Sequence, residues 1–467
     1  MELFRKISDN PSIVWINGEV VAERIDADYY HANHIQLNKS KIPMFKISTY
    51  CSLSKKRFNP NKYNKEYFKY IDISNVNNNT GVFEYQLVNI NEAPSRARKK
   101  VSKNDIIIST VRPNRNAVAI INIEDDELVV STGFAVIECK KNIDSYYLFA
   151  VLKTSNSIGQ LVRKTSGGLY PAVSEQDVME IEIPIPSPEI QKYIGDKVRK
   201  AEELREEAKR LKKEAEGIIY KELNFGSLED KLKIINNKYT WVGLHNLGIR
   251  IDSKYYNEKV LRIKDYFNKH YETIKLKECL QYCSRGKSFA ESSEDGIILI
   301  KTKNLNNSFI NYERNFVYEK EVNNNLILKE KDLIFASMGV GSLGKIDMYY
   351  PSEEKATIDG TLMLLRFKSD SKLKPEYVME FLRTHIGQKL IYQNVVGSTG
   401  IISISVDDLI NIDIPYIDDE KQEKISNFTN KYLTDIYASK RLIQEAKQDV
   451  EDLIEGNFDM SKVKANS

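Results

Sequence analysis

The sequence predicts an α+β fold written twice, with two β-rich domains in tandem, each followed by one long helix. Three observations predict it. Short residue patterns recur in order at a nearly constant offset. Each copy ends in an Ile-x-Ile-Pro tract, and after each tract the apolar pattern changes from alternation to helical spacing. At 467 residues the chain exceeds what one hydrophobic core holds, which agrees with more than one domain.

The first copy opens on Trp15, Arg24-Ile25-Asp26 and Tyr29-Tyr30. The second repeats these as Trp241, Arg250-Ile251-Asp252 and Tyr255-Tyr256, all at an offset of 226 (241 − 15). Ser74-Asn75-Val76-Asn77 returns as Lys303-Asn304-Leu305-Asn306, and Asp105-Ile106-Ile107 as Asp332-Leu333-Ile334. Both are apolar strand runs beside polar turn residues. Tyr147 to Thr154 pairs with Tyr377 to Thr384, and Ile158-Gly159-Gln160 with Ile386-Gly387-Gln388. Ile181-Glu182-Ile183-Pro184 returns as Ile412-Asp413-Ile414-Pro415, after which Glu189 and Gln191 recur as Glu420 and Gln422. Composition alone does not hold order and spacing together, so a domain and its linker are duplicated as a unit.

Each Ile-x-Ile-Pro tract leads into a heptad-like seam. In the first copy the seam reads Ile194, Val198, Ala201, Leu204, Ala208, Leu211, Ala215 and Ile218. In the second it reads Ile425, Phe428, Tyr432, Ile436, Ser439, Ile443, Ala446, Val450 and Leu453. A seam this narrow suits one partner helix, so the two helices are expected to pair as an antiparallel coiled coil with pseudo-two-fold symmetry. Packing of each helix on its own β domain is the alternative. At ~1.5 Å per residue each helix would span on the order of 45 to 50 Å.

Composition narrows the function classes. With 69 basic against 66 acidic residues the net charge is +3, so affinity for a polyanion must come from clustering. Cys51, Cys139, Cys279 and Cys283 are sparse and irregularly spaced, which argues against a disulfide framework and for a reducing cytoplasm. Cys279 and Cys283 lack a second ligand pair, so no metal site is expected. No run approaches the ~18 apolar residues of a membrane span, and no secretory signal is evident.

Catalytic motifs are missing or misplaced. Gly339-Val340-Gly341-Ser342-Leu343-Gly344 spells G-x-G-x-x-G after a strand-like run, but Lys345 to Tyr350 alternates like a strand instead of opening a helix. A dinucleotide site needs that helix N-terminus for the pyrophosphate, so a tight turn is expected here. The counterpart, Arg112-Pro113-Asn114-Arg115-Asn116, has no glycine at all. There is no Walker-type run, no Asn-Pro-Pro-aromatic run, and no histidine spacing beyond His31 and His34, for which a helix surface is expected. The chain is expected to do no chemistry of its own.

What recurs instead is basic clusters on loops and strand ends. In the first half these are Lys55-Lys56-Arg57, Arg96 to Lys100 with Arg98 within it, Arg112 and Arg115 flanking Asn114, and Arg163-Lys164. In the second they are Arg285 with Lys287, Lys301 with Lys303, Arg314, and Lys345 near Ser342. Lys and Arg at phosphates give sequence-independent affinity, while Arg, Asn and Gln at base edges give specificity. Any one of them is equally well a solvated surface charge; their repetition on matching segments points to double-stranded DNA.

This organisation resembles the specificity subunits of type I restriction-modification systems over essentially the whole chain. The tracts Ile181 to Gln191 and Ile412 to Gln422 look like that family's strand, proline and Glu-x-Gln start of a helix. Ser166-Gly167-Gly168 and Gly397-Ser398-Thr399-Gly400 look like its preceding loop. The second copy departs in starting its helix through Tyr416-Ile417-Asp418, where the first has Pro186-Ser187-Pro188. The resemblance implies target recognition domains over 1–186 and 225–415, spacer helices over 187–224 and 416–456, and a tail over 457–467. It further implies a non-catalytic subunit that reads one half of a bipartite site with each domain. Two methyltransferase subunits and restriction (motor) subunits would be its partners. S-adenosylmethionine, ATP and Mg²⁺ would belong to those partners, with no cofactor in this chain. A scaffold that does not read DNA, and a DNA-binding protein without modification partners, remain open at this point.

Overall fold

The structure is a computed structural model. It describes residues 40–165, 171–235, 240–243, 247, 252–289, 293, 295–313, 315–350, 354–397 and 402–464, with the backbone of strands β1 (Phe4–Lys6) and β2 (Ser12–Val14). Trp15, Arg24 to Tyr30, His31, His34, Ser166 to Gly168, Arg250, Ile251, Arg314 and Ser398 to Gly400 lie outside the described residues. The chain divides into two compact units, residues 1–205 with 437–467, and residues 206–436.

In the first unit, helix α1 (Ile47–Tyr50) joins strands β3 (Met44–Lys46) and β4 (Cys51–Leu53). Then follow β5 (Tyr67–Ile71), β6 (Gln86–Asn89), β7 (Ala97–Lys100), β8 (Ile106–Ser109), β9 (Val118–Ile120), β10 (Leu128–Ser131) and β11 (Phe134–Cys139). Helices α2 (Ser145–Leu152), α3 (Ser155–Lys164) and α4 (Glu175–Met179) precede β12 (Glu182–Pro184) and the long helix α5 (Pro188–Glu222). The strands order as β6-β5-β10-β7, β4-β11-β8-β9 and β12-β3. Runs such as Ile106-Ile107-Ile108 are apolar at every position because these strands bury both faces.

The second unit repeats the plan. Helices α6 (Phe225–Lys233) and α7 (Glu258–His270) precede β13 (Thr273–Lys275), α8 (Leu276–Cys279) and β14 (Leu280–Arg285). Then come β15 (Ile297–Ile300), β16 (Phe316–Val317), β17 (Leu333–Ala336), β18 (Ile346–Met348), β19 (Ala356–Ile358) and β20 (Leu362–Phe367). Helices α9 (Pro375–Arg383), α10 (His385–Gln393) and α11 (Val406–Ile410), strand β21 (Asp413–Pro415) and helix α12 (Asp419–Glu455) complete it. The orders β14-β20-β17-β18, β16-β15-β19 and β13-β21 match the first unit strand for strand, apart from β7. Even the parallel pairs correspond, β5 with β10 and β15 with β19.

The matched residues turn out to be locks within each copy. The Tyr147 hydroxyl donates to the Pro184 carbonyl at 2.9 Å, and the Tyr377 hydroxyl to Pro415 at 2.6 Å. Gln191 accepts from the Asp144 amide at 3.1 Å and donates to Pro186 at 3.0 Å; Gln422 accepts from Lys374 at 2.9 Å and donates to Ile417 at 3.0 Å. Each glutamine thus ties the first turn of a long helix to the start of a shorter one. Asn75 and Asn304 accept from the amides of Asp72 and Lys301 at 2.9 and 2.8 Å. One sequence pairing shifts: Thr154 caps α3 through Ser157 and Thr384 caps α10 through Gly387, so Gly387 corresponds to Ser157 and not to Gly159.

Within the first unit, Lys197 lies 2.5 Å from Asp449 and Arg205 lies 3.3 Å from Ser439, so α5 and α12 run in opposite directions there. Ile190, Ile194, Val198 and Ala201 share a core with Ile443, Ala446, Val450 and Leu453. Within the second unit, Glu222 and Lys421 approach to 4.0 Å. The expected seam is corrected at four places. Leu204 and Ile218 are only half-buried and Arg205 and Ile219 take the inner positions; Phe428 and Ile436 are half-buried while Leu433 is buried. The expected tail 457–467 includes a short helix, α13 (Ser461–Lys464), with Phe458 and Val463 against the first unit's core.

Corresponding positions differ where each domain meets its helices. In the second unit, Arg383 is buried between Asp347, Glu380 and the Tyr432 hydroxyl of α12, at 2.5, 2.8 and 2.7 Å. Asp347 also accepts from the amides of Asn306 and Asn307, whose carbonyl takes a hydrogen bond from Lys212 of α5. Lys153 stands in the first unit at Arg383's place, with Ala119, Ala150 and Ala201 in place of the three partners. Its ammonium donates to the Asn78 and Asn116 carbonyls at 2.5 and 3.0 Å. Burial, with Lys447 and Arg205 nearby, brings its pKa down to about 7.

A pH dependence follows. The unfolded chain keeps that lysine protonated up to its ordinary value of about 10.4, whereas the folded chain releases the proton near 7. Between those values the unfolded state binds more protons, so stability of the first unit rises with pH. The rise is at most about 1.4 kcal/mol per pH unit from this residue. Lys440, brought down to about 7 by burial and Arg205, adds to it. Denaturant midpoints at pH 7 and pH 9.5 measure the effect; a Lys153→Met variant with an unchanged slope would exclude this origin.

Candidate nucleic-acid interface

The first unit gathers loops at one end of its sheets. The Thr132 amide donates to the Arg96 carbonyl at 2.8 Å, Thr110 to Gly133 at 2.9 Å, and Arg112 to Pro171 at 2.8 Å. Arg112 and Asn116 bracket the β8–β9 turn with φ of +49° and +53°, a left-handed backbone that costs a non-glycine residue energy and kinks the chain at both ends. Between them Pro113 is buried and Asn114 and Arg115 are exposed. Helix α3 packs on this turn, and Arg163 and Lys164 in its last turn are half-buried, Lys164 lying near Glu180. These backbone contacts bring together the loops that carry Arg96, Arg112, Asn114 and Arg115 as one basic loop cluster.

Lys55, Lys56 and Arg57 form a second strip along Arg98 to Lys100. Phe58 donates to Arg98 at 2.8 Å, Lys100 donates to Lys56 at 3.4 Å, and Arg57 bridges Lys99. This strip is partly neutralised. Lys56 lies 3.2 Å from Glu138 and 4.0 Å from Asp105, and the buried Lys99 pairs with Glu175. Burial raises the Asp105 pKa, whereas Glu138, also disfavoured by burial, is held low by Ser54 and Lys56.

The second unit converges in the same way with different chemistry. Gly286 donates to Leu362, Asp359 to Ile300 and Ser337 to Thr361, each at 3.0 Å. Gly286 is required there, since a Cβ would lie 2.2 Å from the Asp359 carbonyl. Arg285 is turned into the frame, donating to Ile404 at 2.7 Å, and Lys287 donates to the Glu321 carbonyl at 3.0 Å. Lys301 is half-buried, and Lys303 pairs with Glu313 at 2.5 Å. Ser342 and Lys345 sit half-buried on the β17–β18 turn, so Gly339 to Gly344 closes a hairpin, as expected, and opens no helix. This end is less basic than its counterpart. Sequence reasoning missed Val340, which stands out on the same turn and is taken up below.

Residues 25–216 match the family described as the type I restriction modification DNA specificity domain. The match covers less than half of the chain and lies in its first half. The expected resemblance to type I specificity subunits is thereby supported over the first half, and one relative similar to this chain aligns into the second. The specificity subunit of the HindI enzyme of Haemophilus influenzae is 28% identical over 144 residues, 30% of this chain and 31% of that relative. The MjaVIII specificity subunit of Methanocaldococcus jannaschii is 24% identical over 369 residues, 76% of this chain and 79% of that relative. The chain thus spans under a third of the first relative and over three quarters of the second. Among solved structures, the HsdS subunit from Thermoanaerobacter tengcongensis aligns at 20% identity and a TM-score of 0.34, covering 89% of this chain and 97% of that one. The type I S subunit from M. genitalium aligns at 14% identity and a TM-score of 0.43, covering 90% and 97%. The basic loop cluster around Arg96 and Arg112 lies within the matched specificity domain.

Proposed function

We propose that the chain is the DNA sequence-recognition subunit of a type I restriction-modification complex, each domain reading one half of an asymmetric bipartite site. The observation that carries this reading is the repetition of one frame with unlike loop ends. Like frames offer similar docking faces to two methyltransferase subunits, and unlike ends read different half-sites. The two long helices, paired antiparallel as a coiled coil, would set the unspecified spacer and dock those partners; the opposed α5 and α12 contacts support this. The chain itself is non-catalytic in this reading. S-adenosylmethionine, ATP and Mg²⁺ act in the methyltransferase and restriction subunits, and the complex works in the cytoplasm.

Methylome sequencing of cells that express the chain with its methyltransferase subunit tests the proposal. Exchange of residues 12–180 for another recognition domain should change one half of the methylated motif and leave the other as it was. A motif whose two halves change together, or no methylated motif at all, would overturn the modular reading.

A further inference from the structure

The β17–β18 turn of the second unit displays an apolar side chain where the first unit displays Asn114 and Arg115. Val340 is 68% exposed and lies between Gly339 and Gly341, whose φ values are +101° and +77°. Only glycine takes such angles without strain, so the two residues lift Val340 off the sheet. The turn is nonetheless fixed. Gly339 donates to Ile402 at 3.0 Å, Leu343 donates to Gly339 at 2.9 Å with its side chain buried, and Gly344 donates to Ala336 at 3.0 Å. Helix α10 holds it from behind, where Tyr392 and Gln388 donate to the carbonyls of Leu343 and Gly344 at 3.2 and 3.0 Å. A second apolar residue, Val396, is 47% exposed and bridges Ser403, which also bridges Met338 at the base of the turn.

We propose that Val340 is a base-reading residue of the second domain and that its target is the 5-methyl group of thymine in the major groove. The inference rests on the DNA-reading role proposed above. Most groups on the base edges are hydrogen-bond donors or acceptors, and each would lose its water against valine without compensation. The thymine methyl is the apolar exception, and it gains from the contact. A β-branched side chain on a fixed turn has little freedom to lose on binding. The basic turn of the first unit suits guanine instead. The two domains would then discriminate by different physics, charge in one and shape in the other.

The test uses the full chain assembled with its methyltransferase subunits, and duplexes of the methylated motif in which each thymine of the second half-site is replaced in turn by deoxyuridine. Removal of the one methyl that Val340 covers should weaken binding about fourfold, the ratio that burying one such group corresponds to. Val340→Ser should bind the thymine and uracil duplexes alike. Replacements in the first half-site should affect both proteins equally. Indifference of the wild type to every replacement in the second half-site, with specific DNA still preferred over random DNA, overturns the inference alone. So does a Val340→Ser protein that keeps the thymine preference, or a preference for 5-methylcytosine over cytosine without any thymine effect. Loss of all sequence preference in the wild type overturns the recognition role as well.

Discussion

Arg383→Met should destabilise the second unit by roughly 3 to 5 kcal/mol, because it leaves two buried carboxylates without their cation. Asp347 and Glu380 are almost wholly enclosed, and both point at the guanidinium. Burial opposes the charge on Arg383, and Tyr432, Glu380 and Asp347 overcome that, so its pKa stands above the ordinary range. Asp347 shows the cost, since burial raises its pKa despite Arg383 and the two amides. The corresponding change in the first unit, Lys153→Met, removes a buried ammonium that faces carbonyls and other cations. It should therefore be neutral or stabilising at pH 7. Urea denaturation of the two variants measures the contrast, and equal midpoint shifts would show that the junctions do not differ as described. Addition of Asp347→Asn and Glu380→Gln to Arg383→Met should recover part of the loss, since no unpaired charge then remains buried.

The same pair of positions shows what a sequence can and cannot disclose. The repeat is legible because its residues act on neighbours at nearly the same separation in each copy, 37 and 38 residues for Tyr147 and Tyr377, 47 and 48 for Gln191 and Gln422. Strand runs and helix starts were legible for the same reason, being set by local pattern and capping. The seam was not fully legible. Arg205 sits inside it because Glu202, the Thr80 carbonyl and Ser439 satisfy its guanidinium, and only Glu202 is near it in sequence. An apolar periodicity skips such a residue and selects Leu204 instead. Whether a basic residue is available to a phosphate was equally hidden. Lys56 reads as an open cation in the sequence, but Glu138, 82 residues away (138 − 56), lies against it. Val340 is not legible as a contact residue, because an exposed valine carries meaning only where its turn is fixed.

The convergence of basic loops in the first unit yields the largest expected effect on binding. Replacement of Arg96, Arg112 and Arg115 together by alanine should lower the dependence of affinity on salt by about 0.9 per lost phosphate contact, up to roughly 2.7 for three contacts. Affinity at low salt should fall by orders of magnitude, because three cations that converge on one loop end act on the same stretch of backbone. Replacement of Lys55, Lys56 and Arg57 should do less. Lys56 is already engaged by Glu138 and Asp105, so its contribution to counterion release is partly spent within the protein. Binding isotherms of the assembled complex on its methylated motif, at several salt concentrations, separate the two sets. The slopes also distinguish roles within the first set. A residue that contacts phosphate alone changes slope and affinity on every sequence, whereas one that also reads a base relaxes a single position of the first half-site at a cost of about 1 to 3 kcal/mol. Equal slopes for both triple variants and the wild type would remove the loop cluster from the interface. The exposed Arg115, on the turn that corresponds to the one bearing Val340, is the residue whose single replacement should relax a first-half position while leaving the second half-site intact.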